Sequence, residues 1–340
     1  TSTILQNKIF YLNLYKDNYI DKNRIYTLTK KINENLHFKF GIKNLYHRMI
    51  FTAAALVSER YGADLNGIKN RGYEVFRNVI RDTIQKSLED NKKQNMKLDI
   101  LMEVYIDIKM NIVENKEAIN DFIDCVIEIS DSVNSDNWNG EDVMGIFFNE
   151  FNRYKKKSES GQVFTPDHIT SLMYKILEVN ANDKILDAAC GSGAFLVKSM
   201  SNMIKEVGGI NTKEAKKIKE HSLFGIEFDR EIFALACANM MIHKDGKTNL
   251  EQLDSRDKEA SEWIKSKGIT KVLMNPPFER KYGCKKIVEN VLNSVPSGIK
   301  CAFIMPEKKM EKDKMGKLLE KHHLEAIIKL PEKLFDAGVT

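Results

Sequence analysis

KILDAACGSGAFLVKSM, residues 184–200, changes its pattern halfway along. Residues 184–189 form a short, largely apolar run of the length and character of a buried strand, and Asp187 stands at its end. Gly191, Ser192 and Gly193 follow as a turn, and the residues after them take the spacing of an amphipathic helix. A glycine-rich turn between strand and helix lets a ligand come close to the backbone. A nicotinamide-type fingerprint would place a third glycine at position 196, where this chain has Leu196, so the dinucleotide reading loses weight.

The same alternation continues to the end of the chain. Strands are predicted at KILDAA (184–189), SLFGIE (222–227), NLEQLD (249–254), KVLMN (271–275), CAFIMP (301–306) and LEAIIKL (324–330), with helices between them. Strands alternating with helices mark a parallel α/β sheet. Upstream, from about Asn44 to Phe151, the pattern is helical, as in LYHRMIFTAAALVSERYG and VFRNVIRDTIQKSL, and residues 1–165 contain no proline. Polar patches at Gly62–Gly67, Asp90–Asn95 and Ser130–Gly140 have the length of helix connections. The basic run Arg153–Lys157 and the link SESGQ separate the halves, which sets domains at 1–155 and 156–340.

Composition narrows the class. At 340 residues two domains fit a prior of roughly 150 residues each. Hydrophobic residues make up 42% and charged residues 30%, and no apolar run approaches the ~20 residues that span a bilayer. The opening residues, TSTILQNKIF, lack the features of a secretory signal, so a cytoplasmic protein with no membrane partner is expected; they also lack an initiator Met, which reads as a trimmed start. Five cysteines without a CxxC pair argue against a disulfide framework or a structural zinc site. A net charge of +5 is compatible with a polyanionic partner without requiring one.

In such sheets ligands bind at the carboxyl ends of the strands, near the point where strand order reverses. Glu227 ends the second strand, where a carboxylate can accept from both hydroxyls of a ribose or simply be a solvated charge at a helix start. Asp254 and Ser255 end the third, to meet an adenine amino group or to cap the next helix. The fourth strand ends in Asn275, Pro276, Pro277 and Phe278. The prolines have no N–H and bias the preceding residues toward extended backbone, which leaves a rigid cluster of acceptors beside an exposed ring; an ordinary strand-terminating turn is the other reading.

In order and spacing these pieces resemble a class I methyltransferase that uses S-adenosylmethionine. More narrowly, DAACGSGAF, FGIEFD and NPPF resemble the amino-methylating DNA methyltransferases, and GQVFTP (161–166) resembles the segment that precedes the catalytic domain in modification subunits of type I restriction-modification systems. The helical half and LPEKLF fit that family as well, whereas residues 1–40 match nothing recognised.

The resemblance implies a Rossmann-like sheet behind an all-α domain. It implies that Asp187, Gly191, Ser192 and Gly193 hold the methionine portion of the cofactor, Glu227 the ribose and Asp254 the adenine. Gly161, Gln162, Phe164, Thr165 and Pro166 would close over the site, and no metal is required. Ala188 stands where many relatives carry proline, which affects turn stiffness. An exocyclic amine is a poor nucleophile because its lone pair is delocalised, and its base must leave the duplex stack to react. In the family's mechanism Asn275 and the Pro276 carbonyl accept the two amine hydrogens while Phe278 stacks on the base, a contact worth roughly 1–3 kcal/mol. Asn at the head of the motif favours N6 of adenine over the cytosine amine.

The implied partners are duplex DNA, a separate specificity subunit, an endonuclease subunit and a second modification subunit. Arg280, Lys281, Lys285 and Lys286 would grip phosphates or form a solvated loop. The alternatives are a protein glutamine methyltransferase, whose enzymes also carry Asn-Pro-Pro, and an idle assembly subunit with the same fold. The family sheet has a seventh, antiparallel strand between the fifth and sixth, and Asp336–Thr340 falls where its hairpin should turn, so a chain cut short is expected.

Overall fold

The computed structural model describes residues 22–90, 95–109, 111, 115–134, 143–151, 165–243, 249–278, 283–307, 316 and 318–331. Its first half is helical: α1 (Lys22–Glu34), continued by a π-helical turn (Asn35–Lys39), then α2 (Leu45–Arg60), α3 (Tyr73–Asp90), α4 (Asn95–Asp107), α5 (Lys116–Asn134) and α6 (Val143–Phe151). Asn44 starts α2 by accepting the backbone N–H groups of Tyr46 at 2.7 Å and His47 at 3.2 Å. Phe40, Phe51, Phe76 and Phe122 meet at ring-centroid distances of 5.4 to 6.2 Å in the middle of this half. Arg48 is fully buried beside them, and its guanidinium donates to Asn33 Oδ1 at 2.9 Å and to the carbonyls of Ile42, Lys43 and Phe151 at 3.0, 2.7 and 3.1 Å.

The second half alternates as its sequence predicts: α7 (Asp167–Ile176), β1 (Ile185–Asp187), α8 (Ala194–Glu206), α9 (Lys213–His221), β2 (Leu223–Ile226), α10 (Arg230–Ile242), β3 (Asn249–Glu251), α11 (Lys258–Lys265), β4 (Lys271–Met274), α12 (Cys284–Leu292) and β5 (Lys300–Phe303). All pairings are parallel and the order is β3-β2-β1-β4-β5, so strand order reverses between β1 and β4.

Strands β1, β2 and β4 each feed two cores, because successive side chains point to opposite faces. Leu186, Phe224, Val272 and Met274 pack with Ile264, Ile287 and Val291 of α11 and α12. Ile185, Leu223 and Leu273 belong to the larger core of α8, α10 and the helical half. That core is continuous because α10 lies against both α2 and α4. The five cysteines form no disulfide, and no helix among the described residues is long and apolar enough to cross a membrane.

The predicted sixth strand is corrected. Residues 324–330 take no strand pairing, and Leu324, Ile327 and Ile328 are exposed. A strand exists through the ladder it shares with a neighbour, and β5 is the last strand of the order, with no described segment placed to pair with 324–330. The hairpin expected after Asp336 lies outside the described residues.

Close packing explains Leu196, where a dinucleotide fingerprint would have glycine. The glycine is on the strand instead: a Cβ on Gly225 would lie 2.5 Å from Leu250 Cδ2 and 2.8 Å from Leu196 Cδ1. Gly225→Ala is therefore expected to cost about 1–3 kcal/mol of unfolding free energy, the usual penalty of overpacking, as a lower urea midpoint at unchanged slope.

Candidate active site

Parallel pairing brings the tips of β1, β2, β3 and β4 to one edge, and polar contacts tie the loops there together. The Cys190 N–H donates to the Ile226 carbonyl at 2.9 Å, and the Gly191 N–H to Glu227 Oε2 at 3.0 Å. Ser255 Oγ donates to the Ala188 carbonyl, and Asn290 Nδ2 to the Ser255 carbonyl at 2.9 Å. Gly193 opens α8 with φ of 89°, a left-handed conformation that costs a side chain-bearing residue about 1–2 kcal/mol. In front of Gly191 an added Cβ would meet nothing within 4 Å, so the backbone there faces open space.

Asp187 is buried at the tip of β1, with Oδ1 accepting the Ala189 N–H at 3.1 Å. Burial, with the charge of Glu227 adding to it, pushes its carboxyl up to about 8. Glu227 is half-buried, and its second oxygen accepts the Asp229 N–H at 2.9 Å. Burial raises it to about 7 against the opposing pull of those two N–H groups. Glu227 is thus not the helix-start charge: Asp229 caps α10, accepting the Ile232 N–H at 3.1 Å.

Asp254 belongs to a local pair. Arg256 donates Nε to both of its oxygens, at 2.8 and 3.0 Å, and its own N–H at 2.9 Å, which holds the carboxyl below its ordinary range. The helix that follows, α11, is capped at Asp257, so Asp254 closes the turn before it.

At the tip of β4, Asn275 Nδ2 donates to Thr165 Oγ1 at 2.9 Å, while Asn275 Oδ1 is buried with no hydrogen-bond partner. Pro276 is buried and Pro277 half-buried. Phe278 is half-buried against the larger core rather than presented as an exposed ring, because the chain stays close to the sheet and the ring keeps part of its apolar area out of water. Pro166 precedes α7 as its cap residue. Gly161, Gln162, Phe164, Arg280 and Lys281 lie outside the described residues; Lys286 is exposed and Lys285 half-buried.

Sequence reasoning passed over three side chains. Phe228, beside Glu227, is 58% exposed, and an aromatic residue at a strand tip was the available signal. Arg256, two residues after Asp254, had the spacing of an Asx turn. Asn239 donates to the Ser192 carbonyl at 2.8 Å from a fully buried place on α10, and only the fold brings them together.

Comparison with known proteins places this arrangement. Residues 139–305 match the N-6 DNA methylase family model. That match takes in 167 of the 340 residues, just under half of the chain. The type II restriction enzyme and methyltransferase RM.BcgI of Heyndrickxia coagulans is 33% identical over 223 residues, which cover 61% of this chain and 34% of that protein. The type I restriction enzyme EcoEI methylase subunit of Escherichia coli is 22% identical over 199 residues, 52% of this chain and 40% of that protein. The chain therefore spans well under half the length of these curated relatives. A solved structure of a type I R-M system superposes with a TM-score of 0.55 at 14% identity, over 85% of this chain and 64% of that one, a likeness of fold. The resemblance carried by DAACGSGAF, FGIEFD, NPPF and GQVFTP is borne out at the level of family and fold.

The carboxylates that burial opposes at the strand tips set a pH dependence. Between roughly pH 4 and pH 8 the folded ligand-free chain keeps a proton on Asp187 that the unfolded chain has released, so stability falls as pH rises through that window. Asp187→Asn keeps the acceptor for Ala189 without titrating. Its melting temperature is expected to gain on the parent's as pH goes from about 5 to about 8 in a calorimetric series.

Proposed function

We propose that this chain is the catalytic part of a DNA methyltransferase, which moves a methyl group from S-adenosylmethionine to N6 of an adenine extruded from duplex DNA. The observation that carries the reading is the orphaned Asn275 carbonyl: a buried acceptor without a donor is costly, about 1–3 kcal/mol, and is tolerated where a ligand supplies the donor. An exocyclic amine is such a donor. Pro276, immediately after it, adds a backbone carbonyl on a segment that the two prolines keep stiff.

The residues present fit the methyl donor. Open space in front of Gly191 and the left-handed Gly193 give room for close backbone approach. Asp187 and Glu227 are carboxylates whose ionised forms are penalised by burial, and a cationic ligand is what relieves that penalty. Phe228, exposed beside Glu227, offers an apolar face to an adenine ring. When bound, S-adenosylmethionine supplies an electrophilic methyl group on a sulfonium centre. Asp187, Gly191, Ser192 and Gly193 are assigned to its amino-acid end and Glu227 to its ribose hydroxyls; Asp254, with Arg256 on its carboxylate, is left to shape the adenine end.

At the reacting amine, Asn275 and Pro276 accept the two hydrogens, which draws the lone pair out of the ring and points it along one direction. Positioning of this kind supplies much of the rate in such a site. Phe278 presents the uncovered part of its ring to the flipped base. Similarity to type I methylase subunits and the large helical half support a cytoplasmic modification subunit that works beside a specificity subunit, a second modification subunit and an endonuclease subunit.

Mass spectrometry of nucleosides from DNA treated with the assembled complex tests the reading. N6-methyladenine is expected, and N4-methylcytosine in its place overturns the base assignment. Asn275→Ala is expected to keep cofactor affinity in calorimetry while kcat drops about 10²–10³-fold, the usual loss for one preorganised polar group.

A further inference from the structure

We propose that Thr165 is the positioning residue of Asn275: its hydroxyl holds the side-chain amide in the plane from which the carbonyl can meet the incoming amine. This rests on the function proposed above and assigns to Thr165 a task other than closing over the cofactor.

A carboxamide has two ends of nearly the same shape, one accepting and one donating, so packing alone does not choose between them. At Asn275 one contact, Nδ2 to Thr165 Oγ1 at 2.9 Å, holds the amide and leaves Oδ1 as the buried end without a partner; a hydroxyl can serve either end, so it fixes the plane of the amide, and the substrate amine, which only donates, settles the carbonyl toward itself. Reversal would aim an NH2 group at a substrate amine whose own hydrogens need acceptors. Donor would face donor, and lone-pair localisation would be lost.

Thr165 is well placed to hold a position, because it is anchored away from the loop it serves. It lies 110 residues before Asn275 in the chain. Pro166, next to it, accepts the N–H groups of Ile169 at 2.9 Å and Thr170 at 3.1 Å, so Thr165 is fixed to the first turn of α7. Asp167 of that turn is held by Lys198 of α8 at 3.1 Å. Since α8 begins at Gly193, the Asn275 amide is oriented by the same framework that carries the glycine turn.

Thr165→Val removes the hydroxyl at nearly constant shape, and Thr165→Ser keeps it. The first readout needs no turnover: the Asn275 side-chain amide in the 15N spectrum of the ligand-free chain, assigned by its disappearance in Asn275→Ala. It is expected to shift and to exchange faster in Thr165→Val and to stay in place in Thr165→Ser; an amide unmoved by Thr165→Val overturns the proposal. In methyl transfer by the assembled complex, Thr165→Val is expected to lower kcat about tenfold with cofactor Kd held within about twofold, the worth of one ordinary hydrogen bond. Thr165→Ser is expected to restore kcat to within about threefold, and Thr165→Val is expected to cost nothing further on an Asn275→Ala background. Equal losses in both backgrounds, or a weakened Kd that accounts for the loss, overturn it. A parent complex that methylates no base sinks the proposed function, while the amide resonance still reports whether Thr165 sets Asn275.

Discussion

Parallel hydrogen bonding of β1 to β2 on one side and to β4 on the other is the constraint on which the site depends. Parallel neighbours end at the same edge, so Asp187, Glu227 and Asn275 are delivered to one crevice although they are far apart in the chain. Order reverses between β1 and β4, so the helices that follow these two strands cover opposite faces and leave a gap between the loops. Gly191 on one side of that gap and Asn275 on the other are the residues a ligand entering it would meet. A one-residue slip in β4 would exchange the faces of Val272 and Leu273 and carry Asn275 away from Thr165, and burial on both faces resists such a slip.

Among the described residues, one helix of the second half is packed most closely against the helical half. Helix α10 shares the large core with α2 and α4, and polar contacts pin its start: His47 to Glu231 at 3.3 Å, and Arg230 to Glu103. Near its other end Asn239 holds the Ser192 carbonyl, so the same helix supports the glycine turn from behind. Arg48 does the corresponding work inside the helical half, since its donors reach the loop before α2, the side chain of Asn33 on α1 and the last residue of α6. A guanidinium suits this because its planar fork serves several carbonyls at once.

The strands were legible because a sheet covered on both faces demands short apolar runs, and glycine or proline marked the strand ends at DAACGSG and NPPF. Asp187, Glu227 and Asn275 were legible as polar residues at strand tips. Residues 324–330 misled because periodicity and β-branched content describe only what a strand would bury, whereas its existence depends on a partner in the ladder. Asp254 was read as a ligand contact or a helix cap, and its partner Arg256, two residues away, escaped because side-chain pairing within a turn leaves no periodic trace. Phe278 was expected to be exposed, but the ring after the prolines folds back on the core, while Phe228, the ring after Glu227, stands in solvent. Local sequence does not distinguish them, since both follow a polar or rigid strand tip, and only the path of the next loop does.

Several departures from good packing practice meet at one edge of the sheet. Two carboxyls are held where burial opposes their charge, a hydroxyl at Ser192 and a carbonyl at Asn275 are buried without partners, and two glycines in a row of three take positive φ. Unsatisfied polar groups scattered through a core would each weaken the fold for no return. At the tips of β1, β2 and β4 they fit the ligand pair of the proposed function: a cation that would stabilise the carboxylates and an amine that would donate to Asn275. The two demands meet at the order reversal between β1 and β4, where the sheet can hold both groups without giving up a single ladder hydrogen bond.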